Sequence, residues 1–306
     1  MLTPFVIFVL LYHNRRSLWY TVKEGVTEPM HKIEVPNHHF RIDQICGSGQ
    51  CFRLDRVEDR IYEVIAGEKY LKIKQYPDKT SFYCTEKEYT CFWKMYFDLD
   101  VCYETYIESI DKGDTYLSKA AAFGEGIRIL RQDVWEMIVS FILSQQNNIP
   151  RIKQLIRILC EQCGEERRSP EGRVYYTFPT AERLSEVGES TFREWKLGYR
   201  SRYLQETARA VAEGKVRLSD LSGMEYETAK KELMKLCGIG AKVADCICLF
   251  ALHKLDAFPV DTHIQKVLER EYKKGFPFER YRGYAGVMQQ YIFYYDLKNG
   301  VAMKEM

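Results

Sequence analysis

Across residues 33–84 apolar and polar positions alternate in short runs, FRI, QCFRLDR, RIYEVIAG and KYLKIKQ, broken by GSG, Glu-Asp-Arg and Ala-Gly-Glu. Period two with turn residues between the runs predicts an antiparallel sheet with hairpins. Over 85–118 the period lengthens to that of a helix, most clearly at 86–97, so residues 30–126 read as an α+β domain. Past Gly124 and Gly126 the strand signals stop. Helical periodicity occupies 133–143, 148–163, 182–187, 191–195, 201–213, 226–236, 241–252, 262–272 and 284–297. Residues 127–306 are therefore expected to be all-α and joined by short loops, 127–206 with 283–306 forming one subdomain and 207–282 another.

Composition narrows this only a little. A chain of 306 residues that is 46% hydrophobic and 29% charged is globular, which excludes disorder, collagen and coiled coil. The net charge is only +2, but residues 30–126 hold 13 basic and 17 acidic residues against 29 and 24 in 127–306. A polyanion should favour the C-terminal part. Ten cysteines fall well short of a secreted disulfide scaffold, so they read as reduced thiols. The one CxxC, Cys160 and Cys163, lies inside the amphipathic run RIKQLIRILCEQCG without a second ligand pair nearby, which favours buried helix cysteines over zinc. Residues 1–29 form an extension whose apolar run 5–11 (FVIFVLL) is too short to span a bilayer. An extra strand or surface segment competes there with leader sequence upstream of Met30, and the extension is assigned no function.

The stretch KKELMKLCGIGAKVADCICLFAL reads as two amphipathic helices joined by Gly238-Ile239-Gly240, a turn suited to positive φ. Ile239 can tuck between the helices. The backbone N–H groups that begin the second helix then make an anion site, which suits a phosphate and needs no particular base. A plain αα-corner without a ligand is equally compatible with the turn alone.

LCGIGAK followed nineteen residues after Lys242 by Asp261 in AFPVDTHI resembles the helix-hairpin-helix DNA glycosylase superfamily. SGQCFR at 48–53, ILSQQNNIPRI at 142–152, LGYRSRY at 197–203, KVADCICL at 242–249 and AGVMQQYIF at 285–293 resemble, in order, the 8-oxoguanine DNA glycosylases within it. The resemblance implies a TBP-like antiparallel sheet domain packed on two helical subdomains, with a lesion pocket between them. It also implies an enzyme that flips 8-oxoguanine out of duplex DNA, cleaves its N-glycosidic bond and nicks the abasic strand by β-elimination.

Site residues follow position by position. Lys242 is the implied nucleophile; it must attack as a neutral amine, and the positive end of a helix dipole disfavours the ammonium. Asp261 is the implied carboxylate beside the cationic sugar; its structural alternative is an N-cap, although Thr262 with Gln265 fits a capping box that would free it. Gly49 holds the position whose carbonyl would accept from N7–H of the lesion, and it is equally a turn residue. Phe293 and Cys246 would enclose the flipped base and Gln289 would read its Watson–Crick edge; without the resemblance, Phe293 and Cys246 are core residues. The resting protonation of Lys242 and Cys246 stays open. Tyr199 resembles the wedge that fills the emptied stack, while Gln146, Arg151 and Arg200 stand where the family contacts the orphaned base. Animal members carry asparagine at the position of Gln146 and tryptophan at that of Leu54, so the opposite-base preference is open. Gly238, Gly240, Lys242 and His263 would meet DNA phosphate.

Some superfamily members hold an iron–sulfur cluster on four C-terminal cysteines, but no cysteine follows Cys248, so that cofactor is excluded by count. No metal is expected, apart from a weak cation on hairpin carbonyls around 237–243. The implied partner is double-stranded DNA containing 8-oxoguanine, met by an intracellular monomer without membrane association, in the nucleoid or the nucleus according to the source. Two other readings stay open: a glycosylase for another damaged purine, and a non-enzymatic helix-hairpin-helix DNA-binding protein, which would need neither Lys242 nor Asp261.

Overall fold

Alternation in the sheet region becomes register in the computed structural model, which describes residues 31–302; the extension 1–29 lies outside the described residues. Strands β1 (His31–Pro36), β2 (Leu54–Glu58), β3 (Ile61–Ala66), β4 (Lys69–Gln75) and β5 (Lys79–Cys84) form one antiparallel sheet in the order β1-β5-β4-β3-β2. Tyr62 pairs with Ile73 and Val64 with Leu71, so period two sends one face of the hairpin into the core. Phe82 of β5 lies opposite Ile73 and is fully buried.

Two of the expected strand runs differ. FRI leads into a short helix, Ile42–Gly47, because Ile42 and Ile45 stand three apart and both enter the sheet's core. QCFRLDR becomes a strand only at Leu54. The helical stretch after Thr85 is present, opened by a capping box between Thr85 and Glu88 and widened to a π-helix over Tyr89–Trp93.

Beyond residue 126 the helices appear in the expected order, and side chains start several of them. Asp133 accepts from the Glu136 N–H, Asn148 from Arg151 and Thr180 from Arg183. One expectation fails: Glu166–Arg168 and Val174–Tyr176 pair as a two-stranded ribbon inside the region read as all-α. Strands of three residues are too short to show alternation.

Apolar packing divides the molecule earlier than composition suggests. The buried core beneath the sheet runs from Phe40 to Phe97 without Phe52, which joins the helical core, and takes Leu130 from later in the chain. From Tyr103 onward, including Leu117, Ala120 and Ala121, side chains join the helical core. Polar contacts stitch the two layers. Arg53 and Glu136, both buried, pair at 3.4 Å, and Lys153 Nζ donates to the Leu54 carbonyl at 2.6 Å. Among the described residues no helix is long and apolar enough to cross a membrane.

Candidate functional site

The hairpin turn owes its shape to one glycine. Gly238 has φ +79°, and a Cβ there would stand 2.5 Å from Tyr203 Cγ. Ile239 is buried, as its expected inward tuck requires. Gly240 differs from expectation: its φ is an ordinary −89°, and it serves as N-cap of Ala241–Phe250 with no side-chain cap. The first amides of that helix therefore have no side-chain partner at the cap. Asp245 ties the two hairpin helices together, accepting from Tyr226 Oη at 2.5 Å and pairing with Lys230 at 2.7 Å.

Lys242, half-buried, sits in the first turn of this helix with Nζ 5.7 Å from the centre of the Phe141 ring. One turn on, Cys246 is fully inside. Burial pushes its thiol up to about 11 against the lowering pull of Lys242, while Asp245 and Asp261 add to the rise. Burial thus favours the neutral thiol over the thiolate. Lys242 and Cys246 stand four residues apart on one face of the helix, and Asp261 starts the helix that follows in the chain.

Asp261 does cap its helix: Oδ1 accepts from the Ile264 N–H at 2.8 Å. The capping box expected at Thr262 does not form, because Gln265 turns its amide to Glu269 at 2.7 Å. A carboxylate has lone pairs to spare, and Asp261 Oδ2 has no hydrogen-bond partner among the described residues. Capping and an electrostatic role thus coexist.

The lesion side is assembled around the 48–50 turn. Gly49 has φ +74°, and a Cβ there would lie 3.1 Å from Phe293 Cε1, so the glycine and the aromatic face each other. Gln289 is buried; its Nε2 donates to the Pro259 carbonyl at 3.0 Å, while Oε1 is a buried acceptor without a partner. An acceptor left over in that position suits the donor-bearing edge of a guanine-type base. Gln290, which periodicity does not single out, donates to the Ser48 carbonyl at 2.6 Å and fixes the turn to the C-terminal helix Ala285–Ala302. His263 is exposed, 3.3 Å from Asp296 and edge-on to Phe293.

Residues 145–148 form a loop that leads into the helix Ile149–Cys163, with Arg151 in its first turn. Gln146 is exposed with φ +50°. Tyr199 is 41% exposed. Arg200 is different: it is buried, and its guanidinium donates to the carbonyls of Gln145, Gln146 and Leu197 and stacks on Tyr199. In the free protein it holds the loop and does not stand ready for a base. Arg151 is bonded to Gln154 Oε1 and the Lys196 carbonyl near the surface, from which it can swing.

The hairpin carbonyls considered for a weak cation are already engaged at two positions, Cys237 by Thr207 Oγ1 at 2.9 Å and Gly238 by Gln145 Nε2 at 2.8 Å. Among the described residues no group of three or more His, Cys, Asp or Glu is placed to hold a metal ion.

Residues 32–138 match the family described as 8-oxoguanine DNA glycosylase, N-terminal domain, and residues 139–274 match the HhH-GPD superfamily of base excision DNA repair proteins. An N-glycosylase/DNA lyase of Saccharomyces cerevisiae is 37% identical over 193 residues, 58% of this chain and 50% of its own length. Its namesake in Arabidopsis thaliana is 30% identical over 230 residues, 72% of this chain and 63% of its own. The chain thus spans less than two thirds of the length of both relatives. A solved structure of the Clostridium acetobutylicum 8-oxoguanine glycosylase/lyase, in complex with double-stranded DNA containing cytosine opposite 8-oxoG, matches with a TM-score of 0.82 at 36% identity, covering 89% of this chain and 98% of that one.

Proposed function

The chain belongs to the HhH-GPD superfamily of base excision DNA repair proteins, in its 8-oxoguanine DNA glycosylase family, and we propose that it excises 8-oxoguanine from duplex DNA and nicks the resulting abasic strand. The observation that carries this reading is the placing of Lys242 in the first turn of the hairpin helix, whose N-cap Gly240 offers no side-chain cap, with Asp261 at the start of the helix that follows.

Lys242 attacks C1′ of the flipped nucleotide as the neutral amine. The electrons of the N-glycosidic bond leave with the base, which takes up a proton, and the charge developing on the sugar is met by Asp261. Opening of the sugar gives a Schiff base. Loss of the C2′ proton then expels the 3′ phosphate and cuts the strand. The Gly49 carbonyl, the Gln289 acceptor and Phe293 receive the base; Tyr199 fills the gap; Gln146 and Arg151 meet the orphaned partner. The open amides after Gly240 hold a phosphate. Free cysteines throughout the described residues fit a reducing, intracellular setting, and the enzyme acts there as a monomer.

The test is borohydride reduction during turnover on duplexes containing 8-oxoguanine opposite each normal base, with other damaged purines in parallel. A covalent complex should form with the parent and not with Lys242→Gln, which should still bind lesion duplex. Normal trapping in the variant would refute the assignment of the nucleophile, and faster release of another purine would move the substrate to that lesion.

A further inference from the structure

Gln145 ends the Val134–Ser144 helix as its C-cap, and no step above uses it. Its carbonyl accepts from Tyr199 Oη at 3.2 Å and from Arg200 Nε at 2.9 Å. Its side chain points the other way, with Nε2 donating to the Gly238 carbonyl at 2.8 Å. Gly238 in turn lies against Tyr203, and the Tyr203 ring packs edge-on to Tyr199 at 5.7 Å. These contacts close a ring: Gln145 to Gly238, Gly238 to Tyr203, Tyr203 to Tyr199, and Tyr199 back to Gln145. Two members of the ring belong to different parts of the site. Tyr199 faces the duplex, and Gly238 precedes by four residues the lysine that reacts.

We propose that Gln145 is a positioning residue that couples the wedge to the catalytic hairpin. One residue holds the wedge by its backbone and the hairpin by its side chain, so the offset between Tyr199 and the start of the Ala241–Phe250 helix is set by three χ angles. The buried Arg200 guanidinium keeps the Gln145 carbonyl from following the side chain independently. When Tyr199 enters the base stack, the displacement passes through Gln145 to Gly238 and brings Lys242 into line with the extruded sugar. A wedge that fails to insert leaves the hairpin where it is. The inference rests on the lysine glycosylase reading.

The test is a double-mutant cycle between Gln145→Met, which keeps the length and removes the donor, and Tyr199→Ala, read by single-turnover excision opposite cytosine, equilibrium affinity for lesion duplex, and thermal unfolding. Gln145→Met should slow excision by about tenfold or more while affinity changes by less than about threefold, and in the Tyr199→Ala background the same change should cost less than about threefold, because the coupling is already gone. Gln145→Glu, which presents an acceptor to the Gly238 carbonyl, should behave like Gln145→Met and serves if that variant folds poorly. Multiplicative losses in the two backgrounds, or slowing that only tracks a fallen melting temperature, would overturn the coupling while leaving the enzyme reading intact. A parent that neither excises nor traps would overturn the enzyme reading first and this inference with it.

Discussion

The two rims of the site are held by different kinds of bond. On the lesion rim, buried neutral amides do the holding: Gln50 bonds the Leu130 N–H and the Arg128 carbonyl, Gln132 bonds the Gln50 carbonyl, Gln290 bonds Ser48, and Gln289 bonds Pro259. On the opposite-strand rim, arginines bond carbonyls, Arg200 to residues 145, 146 and 197 and Arg151 to Lys196. Amides leave no net charge behind, so the rim proposed to receive the base keeps its shape through changes of salt and pH. Arginines leave positive charge on the rim they hold, Arg200 buried and Arg151 near the surface.

The hardest blow to the lesion rim should come from Asp261→Asn. If the rim is a frame that carries one working charge, excision should fall by about 10²–10³-fold while stability changes by well under 1 kcal/mol, since asparagine also caps a helix. Single-turnover kinetics and thermal unfolding on the same preparation decide it; equal damage to both would make the carboxylate a structural part of the frame.

Next in size, Gly49→Ala attacks the frame itself. A residue with a side chain at φ +74° costs roughly 1–2 kcal/mol, and its methyl meets Phe293 at 3.1 Å. Excision of 8-oxoguanine should drop by about tenfold or more, with lesion affinity falling in step. An unchanged affinity in a binding titration would mean that the glycine is needed only for the turn.

The opposite rim should yield more softly. Gln146→Asn shortens the exposed side chain by one methylene at φ +50°, a conformation asparagine adopts readily. Preference for cytosine over adenine opposite the lesion should sharpen by about tenfold. With Arg200 locked to carbonyls, the parent's discrimination falls to Gln146 and Arg151, so excision ratios unaffected by the substitution would place specificity outside this rim.

The smallest effect concerns an exception on the lesion side, the Arg53–Glu136 pair. Burial pushes the Glu136 carboxyl up to about 7 in spite of the arginine. A raised carboxyl favours the folded state at low pH, and that contribution is lost as pH rises through about 7. The melting temperature of the parent should therefore fall more between pH 5 and pH 8 than that of Glu136→Gln; parallel profiles would mean that the pair stays ionised throughout.

Sequence and structure agree where a local pattern suffices. β3 alternates throughout and β4 from Tyr70 on, and the Gly238-Ile239-Gly240 turn declares itself by composition. They part where one residue cannot be told from its neighbour. Asp261 and Thr262 are both good caps, and which of them starts the helix depends on chain direction that only packing sets. Ile42–Gly47 is too short for a helical period to outweigh two apparent strand residues. Arg200 reads as an exposed cation until the fold places three carbonyls around it. Gln145 and Gln290 are ordinary polar residues in sequence, and their partners lie 93 and 242 positions away.

The neutral Cys246 thiol has a consequence for survival under oxidants. Burial holds the thiol up, at about 11, and so disfavours the thiolate, the form that peroxides attack. Solvent is kept from the sulfur as well, whereas Cys91 and Cys102 stand exposed. On the proposed reading, the cysteine of the pocket thus stays reduced under the oxidising conditions that create 8-oxoguanine.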